Sequence, residues 1–308
     1  MTGIRSDEVP FDTLRDQRTE TQADSKIGAL GIICGSGAVP YAVADAVMRR
    51  GRRIVLFPLR GWADAAAVEA YSHHWIALGQ LGRVCRLARE ERCGELVFVG
   101  GLIRPSIWQL RLDWATLMQM PLIIRSFRGG DDHLLSGVGC LFENSGFRII
   151  GAHEAAPDIT APAGPLGRIQ PSATVEDDIR HGFALVAAMS AFDVGQAVVV
   201  SGRRVLAVEA AEGTDAMLER IAVMREAGRI AVPAGAGVLV KAPKHRQDLR
   251  FDLPSIGPDT VTRVARAGLA GIAVAARATI VAEPQRLIEV ADRTGLFVVG
   301  CLSPEAPA

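Results

Sequence analysis

Apolar residues follow two rhythms along this chain. Continuous runs of strand length occur at 27–33, 53–59 and 95–103, and such runs fit strands buried on both faces. Between them, 40–50 and 80–92 carry the three-to-four spacing of amphipathic helices. The first of these helices has Pro40 just inside its start and Gly51 just past its end, the usual asymmetry of helix termini. Strands alternating with helices predict a parallel sheet covered on both faces. The pattern continues with helical stretches at 105–127 and 131–145 and a fourth strand at 147–153. Residues 1–26 show neither period and read as a polar tail.

Pro157, Pro162, Gly164, Pro165, Gly167 and Pro171 then crowd together, which predicts a linker over 156–172. It divides a domain at 27–155 from a second at 173–308. The second half restarts with a helix at 175–192, whose expected N-cap is Thr174 with Asp177 three residues on. A hairpin is predicted from strands at 197–200 and 204–210 around Ser201 and Gly202. A helix at 214–227, a strand at 237–242, a helix at 258–267, a hairpin across 270–282, a helix at 284–294 and a strand at 296–300 complete it. The fold class is α/β: a parallel-sheet domain followed by a mixed α/β domain.

Composition narrows the function classes. Of 308 residues, 49% are hydrophobic and 22% charged, which excludes disordered and collagen-like chains. Thirty-four Lys and Arg balance thirty-four Asp and Glu, so the basic excess expected of a nucleic-acid binder is missing, and no nucleic-acid partner is expected. No apolar run approaches the roughly 20 residues of a membrane-spanning helix. The five cysteines, at 34, 85, 93, 140 and 301, are odd in number and form no C-x-x-C pair. That spacing argues against a disulfide framework and a structural zinc site. With no signal-peptide layout at the start, the expectation is a cytoplasmic protein.

Two regions carry candidate chemistry. Gly35, Ser36 and Gly37 follow the first strand and precede a helix, where unpaired N–H groups and the helix dipole attract phosphate. The third glycine of a dinucleotide fingerprint is absent, and Arg60 rather than an acid stands near the end of the second strand. A tight turn without a ligand is the plainer alternative. In the second half, Glu209, Glu212 and Asp215 cluster where a strand turns into a helix. Asp248 and Asp252 share a loop with Lys244, Arg246 and Arg250, close after Lys241. Carboxylates beside cations suit a magnesium–phosphate site, although a solvated charged loop would read the same. The setting of Asp252 between Phe251 and Leu253 favours a carboxylate held in place. Ser36 is no hydrolase nucleophile, since Cys34 breaks the G-x-S-x-G pattern. His73 and His74 read as a surface pair. The stretch 107–127, with Trp108, Leu110, Leu112, Trp114, Leu117 and Met118, is most simply a pair of core helices; a lipid-facing wall is the sharper reading.

Six segments taken together resemble one family: Gly31 to Pro40 (GIICGSGAVP), Gly101 to Pro105 (GLIRP), Gly130 to Leu135 (GDDHLL), Asp193 to Val200 (DVGQAVVV), Glu209 to Met217 (EAAEGTDAM) and Gln247 to Gly257 (QDLRFDLPSIG). In order and spacing, from about residue 27 to residue 300, the chain is similar to the magnesium-dependent, I-type UDP-2,3-diacylglucosamine pyrophosphatases of lipid A synthesis. The resemblance implies a Rossmann-like N-terminal domain and a C-terminal α/β domain with the lipid substrate between them. It implies a key catalytic aspartate at Asp252, supported by Asp215. Substrate contacts are expected at Gly35, Ser36, Gly37, Arg104, Asp131, Gln196, Thr214 and Lys241, and Mg2+ at Asp252, Asp215 and Glu209. The family tends to small residues and glycine where this chain has Cys34 and Ser36. UDP-2,3-diacylglucosamine would be the substrate, met in peripheral contact with the cytoplasmic face of the inner membrane, and a second copy of the chain is a candidate partner. Alternatives are another nucleotide-sugar hydrolase or a non-catalytic nucleotide-binding regulator.

Overall fold

β1 (Ala29–Cys34) is buried along its whole length, which is why its sequence is a continuous apolar run rather than an alternating one. The computed structural model describes residues 28–102, 111–118, 131–244 and 247–302. After β1 come α1 (Val39–Arg49), β2 (Ile54–Pro58), a single turn α2 (Ala65–Val68), α3 (Leu81–Glu90) and β3 (Cys93–Val99). A short α4 (Trp114–Met118), α5 (Asp131–Asn144), β4 (Arg148–Ile149) and one-turn α6 (Ala152–Ala155) complete the N-terminal half. The four strands form one parallel sheet in the order β2-β1-β3-β4. Val43, Ala44 and Val47 of α1 pack on one face with Leu30, Ile32 and Val97. Val84 and Ala88 of α3, with Leu141 and Phe142 of α5, pack on the other against Val55, Phe57 and Leu96. Helices on both faces give the doubly covered sheet that the alternation predicts.

Beyond it, β5 (Gly164–Pro165) leads to α7 (Ala173–Met189), β6 (Ala197–Ser201), β7 (Arg204–Val208), α8 (Gly213–Glu226) and β8 (Val238–Lys241). Next are β9 (Ser255–Ile256), α9 (Pro258–Arg266), β10 (Gly271–Ala275), β11 (Ile280–Val281), α10 (Pro284–Thr294) and β12 (Phe297–Cys301). The main sheet runs β5-β12-β10-β8-β6-β7. Its three central strands are parallel, and its edges are antiparallel. Met217, Leu218 and Ile221 of α8, Val261 and Val264 of α9, and Leu287 of α10 bury one face. Ile179 and Val186 of α7 bury the other.

Several local expectations are corrected. No hairpin spans 270–282: β8 and β12 occupy both sides of β10, so β11 turns away and pairs in parallel with β9. The predicted strand at 147–153 is paired only at β4, because Gly151 starts α6 with its N–H donating to Glu154 Oε1 at 2.9 Å. Ser172, not Thr174, is the N-cap of α7. The Pro/Gly-rich stretch is partly structured: Ile159 and Ala161 are buried, and β5 pairs with β12. In the stretch 107–127 only 111–118 is described, and α4 is no core helix, since Trp114 is 75% and Met118 67% exposed. The apolar side of the segment turns outward because Asp113 and Thr116 face inward. Thr116 Oγ1 donates to Gly79 O, and Asp113 Oδ2 accepts from Arg83 N–H. Trp108, Leu110 and the tail 1–26 lie outside the described residues.

Candidate active site

β1 and β3 are neighbours whose connections leave in opposite directions along the sheet, and a crevice opens beyond their C-terminal ends, where open parallel sheets usually bind ligands. The cavity there measures about 790 Å³ and is lined by both halves of the chain. Three helix starts converge on it: Ala38 and Val39 of α1, Glu212 to Asp215 of α8, and Asp259 and Thr260 of α9. No side chain caps α1 or α8, so their N-terminal N–H groups and positive dipole ends suit an anion.

The glycine loop is partly a turn and partly a wall. Ser36 N–H donates to Gly101 O, and Gly101 N–H returns to Ser36 O at 2.9 Å, so the loops after β1 and β3 close on each other. Gly35 sits behind that junction, where a Cβ would lie 2.5 Å from Gly101 O; its glycine serves loop packing. Ser36 and Gly37 do line the cavity. Gly37 has φ +93° with open space where a side chain would be, a conformation that strains any other residue.

The second half supplies a connected polar network. Asp252 lies in the loop before β9, and Gln196, just ahead of β6, donates Nε2 to its Oδ2 at 2.8 Å. Gln247 Nε2 donates to the same oxygen. Glu209, at the end of β7, is buried: its Oε2 accepts from Gln196 N–H at 3.1 Å and its Oε1 from Thr214 Oγ1 at 2.8 Å. Lys241, the last residue of β8, donates Nζ to Thr214 Oγ1 at 3.0 Å and to Ser255 O at 3.1 Å. Burial pulls the Lys241 ammonium below the usual lysine value, against the opposing pull of Glu209, Asp252 and Asp215. Lys241, Thr214, Asp215 and Asp252 all face the cavity. Asp215 is the loosest, 64% exposed and 3.4 Å from Arg263 Nε.

Not every expected residue joins this group. Arg104 lies outside the described residues, and Asp131 opens α5 with a side chain that is also outside them. Glu209, Asp215 and Asp252 are not gathered into a metal cage; no set of three or more potential ligand side chains occurs among the described residues. The oxygens of Glu209 are engaged by Thr214 and Gln196, which makes it a support beneath the site. Asp252 and Asp215 remain on the wall; carboxylates are the ligand type magnesium takes, commonly one or two at a time, with phosphate and water completing its shell. The wall also calls for a cation. Among its described residues Glu212, Asp215, Asp252 and Asp259 outnumber Lys241 and Arg250, so an anionic ligand would enter against net negative charge. Gln247 and Ser255 were missed in the sequence, although both stand inside the segment 247–257.

The chain matches the LpxI N-terminal domain over residues 29–159 and the LpxI C-terminal domain over 162–299. It is 40% identical over 278 residues to the UDP-2,3-diacylglucosamine pyrophosphatase LpxI of Caulobacter vibrioides, covering 90% of this chain and 99% of that protein. The chain belongs to the LpxI family. Among solved structures, a UDP-glucose-4-epimerase from Stenotrophomonas maltophila with bound NAD and formylated UDP-arabinopyranose superposes at 13% identity. That match spans 81% of this chain and 65% of the epimerase, with a TM-score of 0.27. A UDP-glucose 4-epimerase from Thermus thermophilus in complex with NAD matches at 12% identity over 90% and 88% of the two chains, TM-score 0.26. Both halves that frame the crevice thus fall within LpxI-family domains, and so do all the residues of the Asp252–Lys241 network.

Proposed function

We propose that the protein hydrolyses the pyrophosphate of UDP-2,3-diacylglucosamine, giving 2,3-diacylglucosamine 1-phosphate and UMP. The observation that carries this reading is one cavity wall on which Asp252, held by two glutamine amides, stands near Lys241, held by Thr214 and Ser255. A water oxygen bonds to phosphorus as a bridging P–O bond breaks, and the leaving phosphate keeps the electron pair of that bond. Asp252 orients the water and takes its proton. Lys241 and the start of α1 hold the phosphate oxygens, where fixed charges and dipoles need no reorganisation as the reaction proceeds. Asp252 and Asp215 would hold magnesium, which draws charge from the phosphoryl oxygens when bound.

The acyl chains need an apolar path. Leu112, Trp114, Leu117 and Met118 form an exposed apolar patch beside Arg83 and Arg111, a composition that suits the surface of an anionic bilayer. No helix among the described residues is long and apolar enough to cross a membrane. Contact of this patch with the cytoplasmic face of the inner membrane is therefore proposed as peripheral. Purified protein is incubated with UDP-2,3-diacylglucosamine, with magnesium or with a chelator, and UMP is quantified. Magnesium-dependent UMP release is expected; no UMP under either condition refutes the reading.

A further inference from the structure

The loop that carries Asp252 belongs to the C-terminal half but is seated on the N-terminal one. The Phe251 ring lies 5.4 Å from Phe98 of β3, and Phe98 packs edge-on against Phe142 of α5 at 5.6 Å. Room for the ring exists because residue 139 of α5 is glycine: a Cβ there would fall 2.2 Å from Phe251 Cζ. One turn further along α5, Glu143 Oε1 accepts from Arg250 Nη1 at 2.8 Å. Arg250 also grips Asp248 within the loop through Nε and Nη2. On the other side of Asp252, Leu253 packs against the apolar cluster on the α1 face of the sheet. The neighbours of Asp252 are thus anchored in one half of the molecule, while its carboxylate is tied to Gln196 from the other.

We infer that the seat of Phe251 on α5, made by Gly139 and Glu143, is a positioning device that sets Asp252 for catalysis and makes turnover depend on docking of the two halves. The inference rests on the hydrolase reading above. Gly139 and Glu143 do not line the cavity; they act through Phe251 and Arg250 on the aspartate between them. A displacement of about 1 Å at a reacting group costs on the order of 100-fold in rate, so a small shift of the loop is enough.

Gly139→Ala tests this cleanly. A helix-interior glycine with open space beside it would be improved by alanine, and a glycine that served packing alone would cost stability on replacement while leaving turnover of the folded protein unchanged. Under the proposal, the new methyl unseats Phe251. Then kcat for UMP release falls at least about tenfold, a larger change than any in KM because Lys241 and the helix starts are untouched although Phe251 lines the cavity, and hydrogen exchange of the 248–254 amides accelerates. Adding Phe251→Leu, which makes room for the methyl, should restore part of kcat and slow the exchange again. Glu143→Gln, at an exposed position, should give a weaker version of the same two changes, and it carries the test if Gly139→Ala lowers the melting temperature steeply. Wild-type kcat and wild-type exchange in both variants would overturn the proposal. Failure of the wild-type protein to release UMP sinks the hydrolase reading instead, and the exchange comparison still decides whether α5 seats the loop.

Discussion

Lys241→Met removes the ammonium at the centre of the site while keeping most of the side chain's bulk. Nζ donates to Thr214 Oγ1 at 3.0 Å and Ser255 O at 3.1 Å, and Thr214 in turn holds Glu209. Losing the donor takes one hydrogen bond from the Ser255 carbonyl and leaves Thr214 Oγ1 with only its bond to Glu209, in a partly buried wall where an acceptor left unpaired costs about 1–3 kcal/mol. Some of that is offset, because burial already disfavours the ammonium, as its lowered pKa records. The net loss of stability should be about 1–2 kcal/mol, a small fall in melting temperature. Activity should suffer more. A charge-assisted hydrogen bond to phosphate contributes about 1.5–3 kcal/mol, equivalent to about a 10- to 150-fold drop in kcat/KM. Initial rates of UMP release over a range of substrate concentrations give this number directly, with circular dichroism to check the fold. The same residue sets a pH limb: the protonated form holds phosphate, so activity should decline at alkaline pH below the ordinary lysine value of 10.5, and Lys241→Met should lack that limb. A folded Lys241→Met protein with kcat/KM within twofold of wild type would refute the reasoning.

Two further outcomes follow from burial. Burial holds the His153 imidazole below its ordinary 6.5, so between its folded and unfolded values the unfolded chain binds a proton that the folded one refuses. Stability should therefore fall as pH drops below about 6.5, and His153→Gln should flatten the dependence of melting temperature on pH between 7.5 and 5.5; an unchanged slope argues against it. A Trp114→Ser, Met118→Ser double variant should barely move the melting temperature, because both side chains are mostly exposed, while sedimentation with anionic liposomes drops and turnover of a short-chain soluble analogue persists. Strong destabilisation would mean that these residues are packed.

The parts of the fold written in local pattern were legible. Runs such as 29–34 and 54–58 are apolar because helices cover both faces of their sheet, and Pro40 and Gly51 mark the ends of α1. That the Asp252 carboxylate is held was legible too, since an acid between Phe251 and Leu253 is more often fixed than solvated, and two glutamine amides fix it. What stayed hidden depends on long-range partners. Two apolar runs across 270–282 look like a hairpin until β8 and β12 claim both edges of β10. Glu209 looks like a metal ligand in sequence, yet Gln196 and Thr214 reach it first. Gly139 has no local signature at all; its reason is an aromatic ring contributed by residue 251.

Hydrolysis is proposed to depend on Asp252, held by Gln196 and Gln247. Asp252→Asn keeps the shape of the side chain and removes its charge and basicity. The most direct measurement is UMP release by this variant and by wild type, with magnesium, at saturating UDP-2,3-diacylglucosamine. A loss of about 100- to 10,000-fold in kcat is expected from a protein that melts like wild type and still binds the substrate. Turnover close to wild type from a folded Asp252→Asn protein would contradict the proposed dependence.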